Sequence, residues 1–556
     1  MTSPATLFAR SFIGALVARG VTDVVVSPGS RSQALALAAA EAEQSGHLTL
    51  HVVVDERSAG FRALGIALET GLPAVALATS GSAPAHFLPA VMEAHHAGVP
   101  LIVVSADRPE SLKGVGANQT TQHLGLFGFA AATIDAVAEA NTAEGAGIAA
   151  GLEVFDHAAA GGAAHANIEF SEPLSSSEPS EFLLPTLSEP LPAPEETVSL
   201  VLEPEAGTLV IAGHGAGSRA EQWALELGAP LIAEVASGAR FGPHFLPAYR
   251  EVLNGERFPT PLQRIITVGR PTLSREVWAL LSDSSYSHIV VRGPEAEPAN
   301  PSGQAQIVDS LDISHPATSD ERSQWVKPWV IASREHHRVA LEALQPHTPE
   351  LGEGAADDPA ARSAFAREQM EILRRAPTRQ DVALSVWEAS WPHDRLVLGA
   401  SRMIREMDRI VGPKNIPVVS NRGLSGIDGT ISTARGVAVA APRSGATGVT
   451  RVVLGDLAFL HDAGSLMQEP GSSEGSKVHL FVANDGGGSI FDELEVGHSA
   501  PRELFDRVMF TPHTVDISAL ATAYGWEYLP VTTMGELADA LVSTATRLIV
   551  DISLER

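Results

Sequence analysis

Short runs of β-branched and other apolar residues recur along the chain. Each is followed by a turn rich in Gly, Ser or Asp and then by a segment whose apolar positions repeat at helical spacing. Continuous apolar runs are typical of strands buried on both faces, and their alternation with helices predicts parallel sheets covered by helices. The predicted fold class is α/β, with three doubly wound parallel-sheet domains. A further amphipathic helix is predicted within Met1–Gly20, entered through Ser3 and Pro4.

The predicted strands fall into three groups along the chain. The first group comprises Val24–Val26, Leu48–Val54, Ala74–Ala78 and Leu101–Ser105, with helices at Ala59–Glu69 and Ala85–His95. The second comprises Thr208–Ala212, Pro230–Ile232, Arg264–Val268, His288–Arg292 and Gln306–Asp309. The third comprises Arg395–Gly399, Ile416–Ser420, Arg451–Leu454, Lys477–Ala483 and Arg547–Ile552.

Two polar segments without helical or strand periodicity separate these groups. Ser171–Glu196 is rich in Pro, Ser and Glu, and Thr348–Ala361 is rich in Gly, Pro and Asp, so both are predicted to be linkers, the first of them exposed. The predicted domains are therefore residues 1–185, 186–355 and 356–556.

Composition excludes several classes of protein. With 556 residues, 44% of them hydrophobic and 19% charged, the chain is too apolar to be disordered. A net charge of −28 argues against nucleic-acid partners and anionic membrane surfaces. The absence of Cys excludes disulfides, thiolate metal sites and Cys nucleophiles. No apolar stretch is long enough to span a membrane and no secretion signal is recognisable, so the expected location is the cytoplasm.

A glycine-rich turn follows one strand of the second group. In Ile211–Ser218, a strand end is followed by three glycines and a predicted helix start, which is the general shape of a dinucleotide site. The spacing is not the full fingerprint, and no acidic residue after the next strand is evident. An ordinary turn between strand and helix therefore remains the alternative to a nucleotide site.

A more specific pattern occurs at two strand ends of the third group. Gly455 and Asp456 follow one apolar strand, and Asn484-Asp485-Gly486-Gly487-Gly488 follows another. Because parallel strands end at the same sheet edge, the Asp456 carboxylate, the Asn484 amide oxygen and the Gly486 carbonyl could provide hard oxygen ligands to Mg²⁺ or Mn²⁺. The glycines would allow backbone N–H groups to approach a diphosphate.

This spacing resembles the diphosphate-binding signature of thiamine diphosphate (ThDP) enzymes, which begins Gly-Asp-Gly and ends Asn-Asn. Leu457 and Ala483 depart from that signature, whereas the expected ligands Asp456 and Asn484 are kept. A ThDP enzyme also needs a carboxylic acid to protonate N1′ of the aminopyrimidine. Glu56 is the candidate, because it lies where a strand of the first group meets its helix and because burial there would favour the protonated acid.

Six further blocks occur in order in the first and third groups: Ser27–Ser32, Asp55–Arg57, Thr79–Ser82, Ala106–Pro109, Gly116–Gln119 and Ser420–Gly429. Together they resemble the family of 2-succinyl-5-enolpyruvyl-6-hydroxy-3-cyclohexene-1-carboxylate (SEPHCHC) synthases, ThDP-dependent transferases of menaquinone biosynthesis. The resemblance implies three domains of the ThDP-enzyme type: an aminopyrimidine-binding domain, a middle domain and a diphosphate-binding domain. It also implies that 2-oxoglutarate is decarboxylated and that the four-carbon unit adds in a 1,4 sense to isochorismate, giving SEPHCHC and CO2.

The resemblance also implies roles for particular residues. The expected catalytic residues are Glu56, Arg31, Arg108, Gln119, Arg405 and Arg422, and the further substrate contacts are Ser30, Asn118 and Ser401. The expected cofactor contacts are Glu56, Ile427, Gly455, Asp456, Asn484, Gly486, Phe491 and Leu494, with Asp456, Asn484 and Gly486 as metal ligands. His86 and His461 are the histidines nearest to this chemistry, and a structural role for His86 remains open.

In ThDP enzymes the two halves of the cofactor site come from different subunits, so the resemblance implies a homodimer or homotetramer. Three other functions remain alternatives. The chain could be another ThDP-dependent 2-oxoacid decarboxylase or an acetohydroxyacid synthase-like carboligase. It could also be a nucleotide-dependent oxidoreductase that uses the glycines of Ile211–Ser218, or a non-catalytic binding protein with a ligand pocket in the middle domain.

Overall fold

The computed structural model describes residues 2–176, 182–186, 198–344, 358–468 and 476–556. The first region contains a six-stranded parallel sheet with the strand order β2-β1-β3-β4-β6-β5. Its strands are β1 (Asp23–Val26), β2 (Thr49–Val52), β3 (Ala74–Ala78), β4 (Leu101–Asp107), β5 (Ala131–Val137) and β6 (Ala163–Glu169). Its α-helices are α1 (Pro4–Ala18), α2 (Gln33–Gln44), α3 (Glu56–Thr70), α4 (Leu88–Ala97) and α5 (Ala143–Ala159).

The middle region contains a five-stranded parallel sheet, ordered β12-β11-β10-β8-β9, and a separate two-stranded parallel pair of β7 and β13. The strands are β7 (Ser199–Leu202), β8 (Thr208–Ala212), β9 (Leu231–Ala233), β10 (Arg264–Val268), β11 (Ser287–Val291), β12 (Gln306–Val308) and β13 (Ser310–Ile313). The helices are α6 (Arg219–Leu227), α7 (Tyr249–Leu253), α8 (Arg275–Ser282) and α9 (Ser319–Leu344).

The third region again has a six-stranded parallel sheet, ordered β15-β14-β16-β17-β19-β18. Its strands are β14 (Arg395–Leu398), β15 (Val418–Val419), β16 (Val449–Gly455), β17 (Lys477–Asn484), β18 (Glu527–Val531) and β19 (Arg547–Ser553). Its larger helices are α10 (Pro359–Arg374), α11 (Arg379–Ala389), α12 (Arg402–Ile410), α13 (Thr430–Ala440), α17 (Ile517–Tyr524) and α18 (Met534–Leu541). Three shorter helices are α14 (Asp456–His461), α15 (Glu495–Ser499) and α16 (Arg502–Phe505).

The predicted strands are confirmed within a few residues, and the α/β class with three parallel sheets is confirmed. The predicted helix Ala85–His95 is divided into a 3₁₀ segment, Ala83–Phe87, and the α-helix α4. Hydrophobic side chains fill both faces of each large sheet, as continuous apolar strands require.

Helices α3 and α13 join the first and third regions by a close crossing. A Cβ at Gly65 would overlap the carbonyl group of Thr433, and one at Gly436 would overlap that of Arg62, so only glycine permits this approach. At the amino end of α3, the Ser432 hydroxyl donates to the Ser58 carbonyl over 2.5 Å. The position of this helix end against the third region is therefore set by backbone packing.

The first predicted linker is only partly exposed. Leu174 and Phe182 are buried in the hydrophobic core of the first region, so the prediction of an exposed segment was wrong at these positions: apolar side chains within a Pro-rich stretch still pack against an open core surface. Residues 177–181 and 187–197 lie outside the described residues, as do residues 345–357 and the predicted boundary between 355 and 356. Pro359–Ala361, predicted as the end of the second linker, instead forms the first turn of α10.

In the described ranges, no helix is long and apolar enough to cross a membrane.

Candidate functional site

A cavity of about 200 Å³ lies at the carboxyl edge of the third sheet. It is formed where the chain leaves neighbouring parallel strands, as expected for ligand sites in such sheets. Its walls are formed where the chain leaves three strands: residues 400–403 near the end of β14, 455–458 at the end of β16, and 483, 485 and 487–491 at the end of β17. Arg379 and Ile427 complete the lining. The predicted residues Ser401, Gly455, Asp456, Ile427 and Phe491 all line it.

Asp456 lies at the centre of the predicted metal site. Gly455 and Ala483 are register partners on β16 and β17, so Asp456 and Asn484 leave adjacent strands side by side. The Asp456 side chain is 2% exposed, and its Oδ2 lies 3.0 Å from Nε2 of His513. Burial, together with the charge of Asp485, raises the pKa of Asp456 despite the bond to His513.

Asn484 and Gly486 are held by contacts of their own. The Asn484 amide nitrogen donates to Asp551 over 2.9 Å, and its Oδ1 accepts from Gly486 N over 3.2 Å. The Gly486 carbonyl accepts from the backbone N–H of His513 over 3.3 Å. Gly486 has φ +78, with no atom within 4 Å of where a Cβ would lie. The structure thus brings the three predicted ligands into one neighbourhood, which His513 contacts through both side chain and backbone.

Asp485 is a second carboxylate at this cavity. Its Oδ2 accepts from Arg379 over 2.6 Å and also from the Ser489 hydroxyl, whereas its Oδ1 is buried without a hydrogen-bond partner. Two close carboxylates, a raised pKa and an unpartnered buried oxygen form the environment that a hard divalent cation would stabilise. The residues therefore fit a metal–diphosphate group. Sequence reasoning missed Arg379 and His513 as site residues, and nothing local to either position signals its role.

Ile427 and Phe491 provide apolar walls of the cavity, as predicted. Ile427 is half-buried in the loop before α13, where Ser425 has φ +60. Leu494 lies elsewhere, in a neighbouring cavity of about 520 Å³ between the middle and third regions. Phe491 and Leu494, both predicted cofactor contacts, therefore line different cavities.

Glu56 begins α3, where Asp55 caps the helix. Its side chain is half-buried rather than enclosed, and the residues lining the 200 Å³ cavity include none from the first region. The neighbouring Arg57 donates to the Asp428 carbonyl over 2.7 Å and contacts Nδ1 of His461 at 2.9 Å. A single chain therefore does not bring Glu56 into the cavity, and His461 is occupied by a contact between regions.

The carboxyl edge of the first sheet is rich in arginine. Arg31 is buried and donates to the Phe170 carbonyl over 3.0 Å. Its pKa is lowered by burial and by the positive charge of Arg108. Gln119, at φ 56, exchanges two hydrogen bonds of 3.0 Å with Ser80. Ser30, Asn118 and His86 are exposed. Arg31 and Arg108 therefore lie close enough for their positive charges to repel each other.

The 520 Å³ cavity contains the other predicted arginine cluster. Arg405 lines it together with Arg250 and Arg275 of the middle region, and burial and these two charges lower the pKa of Arg405. Arg422 is buried and donates to Thr272 Oγ1 over 2.9 Å. Sequence reasoning missed the contribution of the middle region, because Arg250 and Arg275 belong to no recognised block.

The glycine-rich turn after β8 is packed against protein backbone. A Cβ at Gly213 would overlap the peptide between Arg270 and Pro271, and α6 begins only at Arg219. Only glycine allows so close an approach, so the packing of the turn by itself requires Gly213.

Comparisons with known proteins agree with this geometry. The family described as "Thiamine pyrophosphate enzyme, N-terminal TPP binding domain" matches residues 7–126. A SEPHCHC synthase of Leifsonia xyli subsp. xyli is 46% identical over 100% of this chain and 97% of its own length. One from Clavibacter michiganensis subsp. michiganensis is 42% identical with the same coverage. One from Arthrobacter sp. is 38% identical over 99% of this chain and 89% of its own length.

Proposed function

This chain belongs to the family of the SEPHCHC synthases, and on that premise we propose that it decarboxylates 2-oxoglutarate and adds the four-carbon unit to isochorismate, giving SEPHCHC and CO2. The observation that supports this most directly is the full-length similarity to relatives of that name. Its cofactor is ThDP, as the family indicates. We also propose the division into an aminopyrimidine-binding domain (1–185), a middle domain (186–355) and a diphosphate-binding domain (356–556).

When bound, ThDP supplies the nucleophilic carbon and the electron sink for decarboxylation. Asp456, the Asn484 amide oxygen and the Gly486 carbonyl would hold Mg²⁺ or Mn²⁺ against the diphosphate, replacing their present contacts with His513 and the nearby backbone. The raised pKa of Asp456 supports this role, because a cation would remove the energetic cost of the buried charge. Ile427 and Phe491 would exclude water and support the cofactor from the apolar side.

Glu56 would protonate N1′ of the aminopyrimidine, which allows the cofactor's amino group to act as a base. Because the described lining of the cavity includes no residue of the first region, Glu56 would have to come from a second copy of the chain. The proposed active enzyme is therefore a homodimer or homotetramer, with each site at an interface between copies.

The arginine clusters suit two dianionic substrates. Burial and nearby like charges lower the pKa of Arg31, which lies near Arg108, and of Arg405, which lies near Arg250 and Arg275. A bound carboxylate would relieve this repulsion and accept charge-assisted hydrogen bonds. Ser30, Asn118, Gln119 and Ser401 would add neutral polar contacts, and Arg422 would contribute a further positive charge.

The test is substrate consumption by the purified protein with ThDP, Mg²⁺ and 2-oxoglutarate, with and without isochorismate. We expect CO2 release coupled to loss of isochorismate absorbance, each dependent on all components. Pyruvate is the control substrate. Turnover of pyruvate in place of 2-oxoglutarate would instead identify another ThDP-dependent decarboxylase or carboligase.

A further inference from the structure

The loop from Ser420 to Asp428, here called the 420–428 loop, contains two of the predicted site residues, Arg422 and Ile427. It connects β15 to α13 and has no regular secondary structure. Backbone without regular structure must be ordered by other contacts, since each unrestrained residue retains conformational entropy. Besides the contact of Arg57 with the Asp428 carbonyl, the loop contacts Glu93 of the first region and Thr272 of the middle region.

The first contact is Glu93, on α4 of the first region. Its side chain is buried at 4% exposure. One carboxylate oxygen accepts from Gly423 N over 2.6 Å, and the other accepts from Leu424 N over 2.7 Å. Burial raises the pKa of Glu93, although these two amides and the charges of Arg422 and Arg270 oppose the shift. Both oxygens of one buried carboxylate therefore bind consecutive peptide groups directly after Arg422.

Gly423 is fitted to this contact. A Cβ there would lie 2.6 Å from the Glu93 carbonyl oxygen and 3.0 Å from its carboxyl group. Only glycine allows α4 and the loop backbone to approach so closely. The Gly423 carbonyl also accepts from Arg270 Nη1 over 2.9 Å, so both polar groups of this residue are held from outside its own region.

The second contact is Thr272, in the middle region just before α8. Its Oγ1 accepts from Arg422 Nε over 2.9 Å, and its carbonyl accepts from Arg422 Nη2 over 3.2 Å. The Thr272 backbone is itself fixed, because its N–H donates to buried Glu234 over 2.8 Å and that of Leu273 does so over 2.7 Å. The guanidinium of Arg422 is thus oriented by a rigid segment of the middle region.

We propose that Glu93 and Thr272 are positioning residues for the 420–428 loop: Glu93 sets the conformation of the loop backbone, and Thr272 orients the Arg422 side chain. Glu93 lines neither the 200 Å³ nor the 520 Å³ cavity, whereas Thr272 lines the 520 Å³ cavity beside Arg405. Glu93 keeps Ile427 against the cofactor cavity, and Thr272 keeps Arg422 directed for substrate. The substrate part of this inference rests on the proposed function, whereas the loop and cofactor part rests on the family's cofactor alone.

The test uses the full-length protein with Glu93→Gln, Thr272→Val and a control, Asp394→Asn. Glu93→Gln replaces one acceptor oxygen by an NH₂ group that faces a backbone donor, and Thr272→Val keeps the shape of the side chain but loses one acceptor. Asp394 is also a buried carboxylate that binds backbone amides, accepting from Val449 N over 2.7 Å and Trp391 N over 2.9 Å. It lies at the amino end of β14, away from the cavity.

Three quantities are measured: amide hydrogen exchange of the loop, the ThDP dissociation constant with Mg²⁺, and KM and kcat. For Glu93→Gln we expect exchange at Gly423 and Leu424 and the ThDP dissociation constant each to rise about tenfold, as loss of a charge-assisted hydrogen bond predicts. For Thr272→Val we expect KM to rise about fivefold with kcat and loop exchange nearly unchanged. Asp394→Asn should lower thermal stability without changing any of the three.

Unchanged loop exchange in Glu93→Gln, or faster exchange with unchanged ThDP affinity, would overturn the positioning role of Glu93. Equal changes in KM for Thr272→Val and Asp394→Asn would overturn that of Thr272. If Glu93→Gln does not fold, Thr272→Val, which removes only one hydroxyl, still tests the inference. If the wild-type protein binds ThDP but does not consume isochorismate, the proposed function fails, while exchange and ThDP affinity still decide the role of Glu93.

Discussion

The first and third sheets have the same topology and opposite chemistry. Numbered within each region, their strands follow one order, 2-1-3-4-6-5, and all are parallel. Both therefore bring strand ends together at a carboxyl edge. At the first edge, burial and the nearby charge of Arg108 lower the pKa of Arg31, whereas at the third edge two carboxylates lie beside an apolar cavity. Topology decides where loops meet, and the residues in those loops decide what can bind there.

Two aspartates show the difference most directly. Asp107 ends β4, and Asp456 follows β16. Burial acts to raise the pKa of Asp107, but contacts with His123, Lys113 and Asn167 outweigh it and lower the pKa to about 2. Asp456 is buried too, and although it accepts a hydrogen bond from His513, burial and the negative charge of Asp485 raise its pKa. The first carboxylate is neutralised within its own region, and the second is left for a ligand to neutralise.

The largest expected effect concerns Glu56, the residue of the first region that we propose acts on the cofactor bound by the third. Glu56→Gln should lower kcat by about 10²–10⁴-fold, because it removes the proton transfer to N1′, with folding and Mg²⁺–ThDP binding nearly intact. Steady-state kinetics and ThDP titration check this. Glu144, in the first turn of α5, is the matched control, and its replacement by Gln should leave kcat unchanged. Near-normal turnover in Glu56→Gln would contradict the assignment.

The second largest expected effect is that of removing the proposed metal ligand Asp456. Asp456→Ala should weaken ThDP binding by about 100-fold at fixed Mg²⁺, with a smaller effect when Mg²⁺ is omitted. Calorimetric titration at several Mg²⁺ concentrations measures both. Asp516→Ala, which removes an exposed cap from α17, should cost some stability and leave ThDP affinity unchanged. A ThDP titration of Asp456→Ala that matches the wild type would place the metal elsewhere.

The third prediction contrasts the two aspartates in stability. Asp107→Asn should destabilise the first region by about 3 kcal/mol, because it removes the buried carboxylate that His123, Lys113 and Asn167 share. Asp456→Asn, without cofactor, should leave stability nearly unchanged or raise it, since a buried charge is removed. Denaturant unfolding of both variants measures the difference. Equal losses of unfolding free energy in the two variants would show that the two sheet edges do not differ in the way the pKa shifts indicate.

The smallest effect concerns pH. Burial, with the charge of His123, lowers the pKa of His165 to about 3, so the folded protein binds fewer protons than the unfolded one between about pH 3 and 6.5. Stability should therefore rise with pH across this window and fall as the pH is lowered. His165→Gln should reduce that slope by up to about 1.4 kcal/mol per pH unit. Urea unfolding at pH 5 and 6.5 measures the slope, and a slope in His165→Gln equal to that of the wild type would contradict the prediction.

Three of the five described strands that sequence patterns missed share a physical property, whereas the other two, β7 and β13, form the separate two-stranded pair. β5, β6 and β18 are not continuous apolar runs: β6 contains His165, Asn167 and Glu169, all buried. Their polar groups are satisfied across the sheet, as when Ser105 donates to Asn167 over 2.8 Å and Asn167 donates to Asp107 over 3.1 Å. Only the assembled sheet supplies these partners, so periodicity cannot identify such a strand.

The candidate site was predictable where its residues follow recognised strand ends. Asp456, Ile427 and Phe491 line the 200 Å³ cavity, and Asn484 ends the strand next to that of Asp456. Arg379, His513 and Glu93 were not predictable, because each reaches its partner from a distant part of the chain with no local motif.

By itself, the sequence determined the fold class, the positions of most strands, and the strand ends at which the chemistry lies. These follow from short-range periodicity and from residue types with narrow backbone or ligand preferences. Only the tertiary structure decided which charges meet: that His513 contacts Asp456, that Glu93 holds the amides after Arg422, and that Glu56 lies outside its own chain's cavity. Such pairs are separated by tens to hundreds of residues, and packing of whole domains, rather than local preference, brings them together.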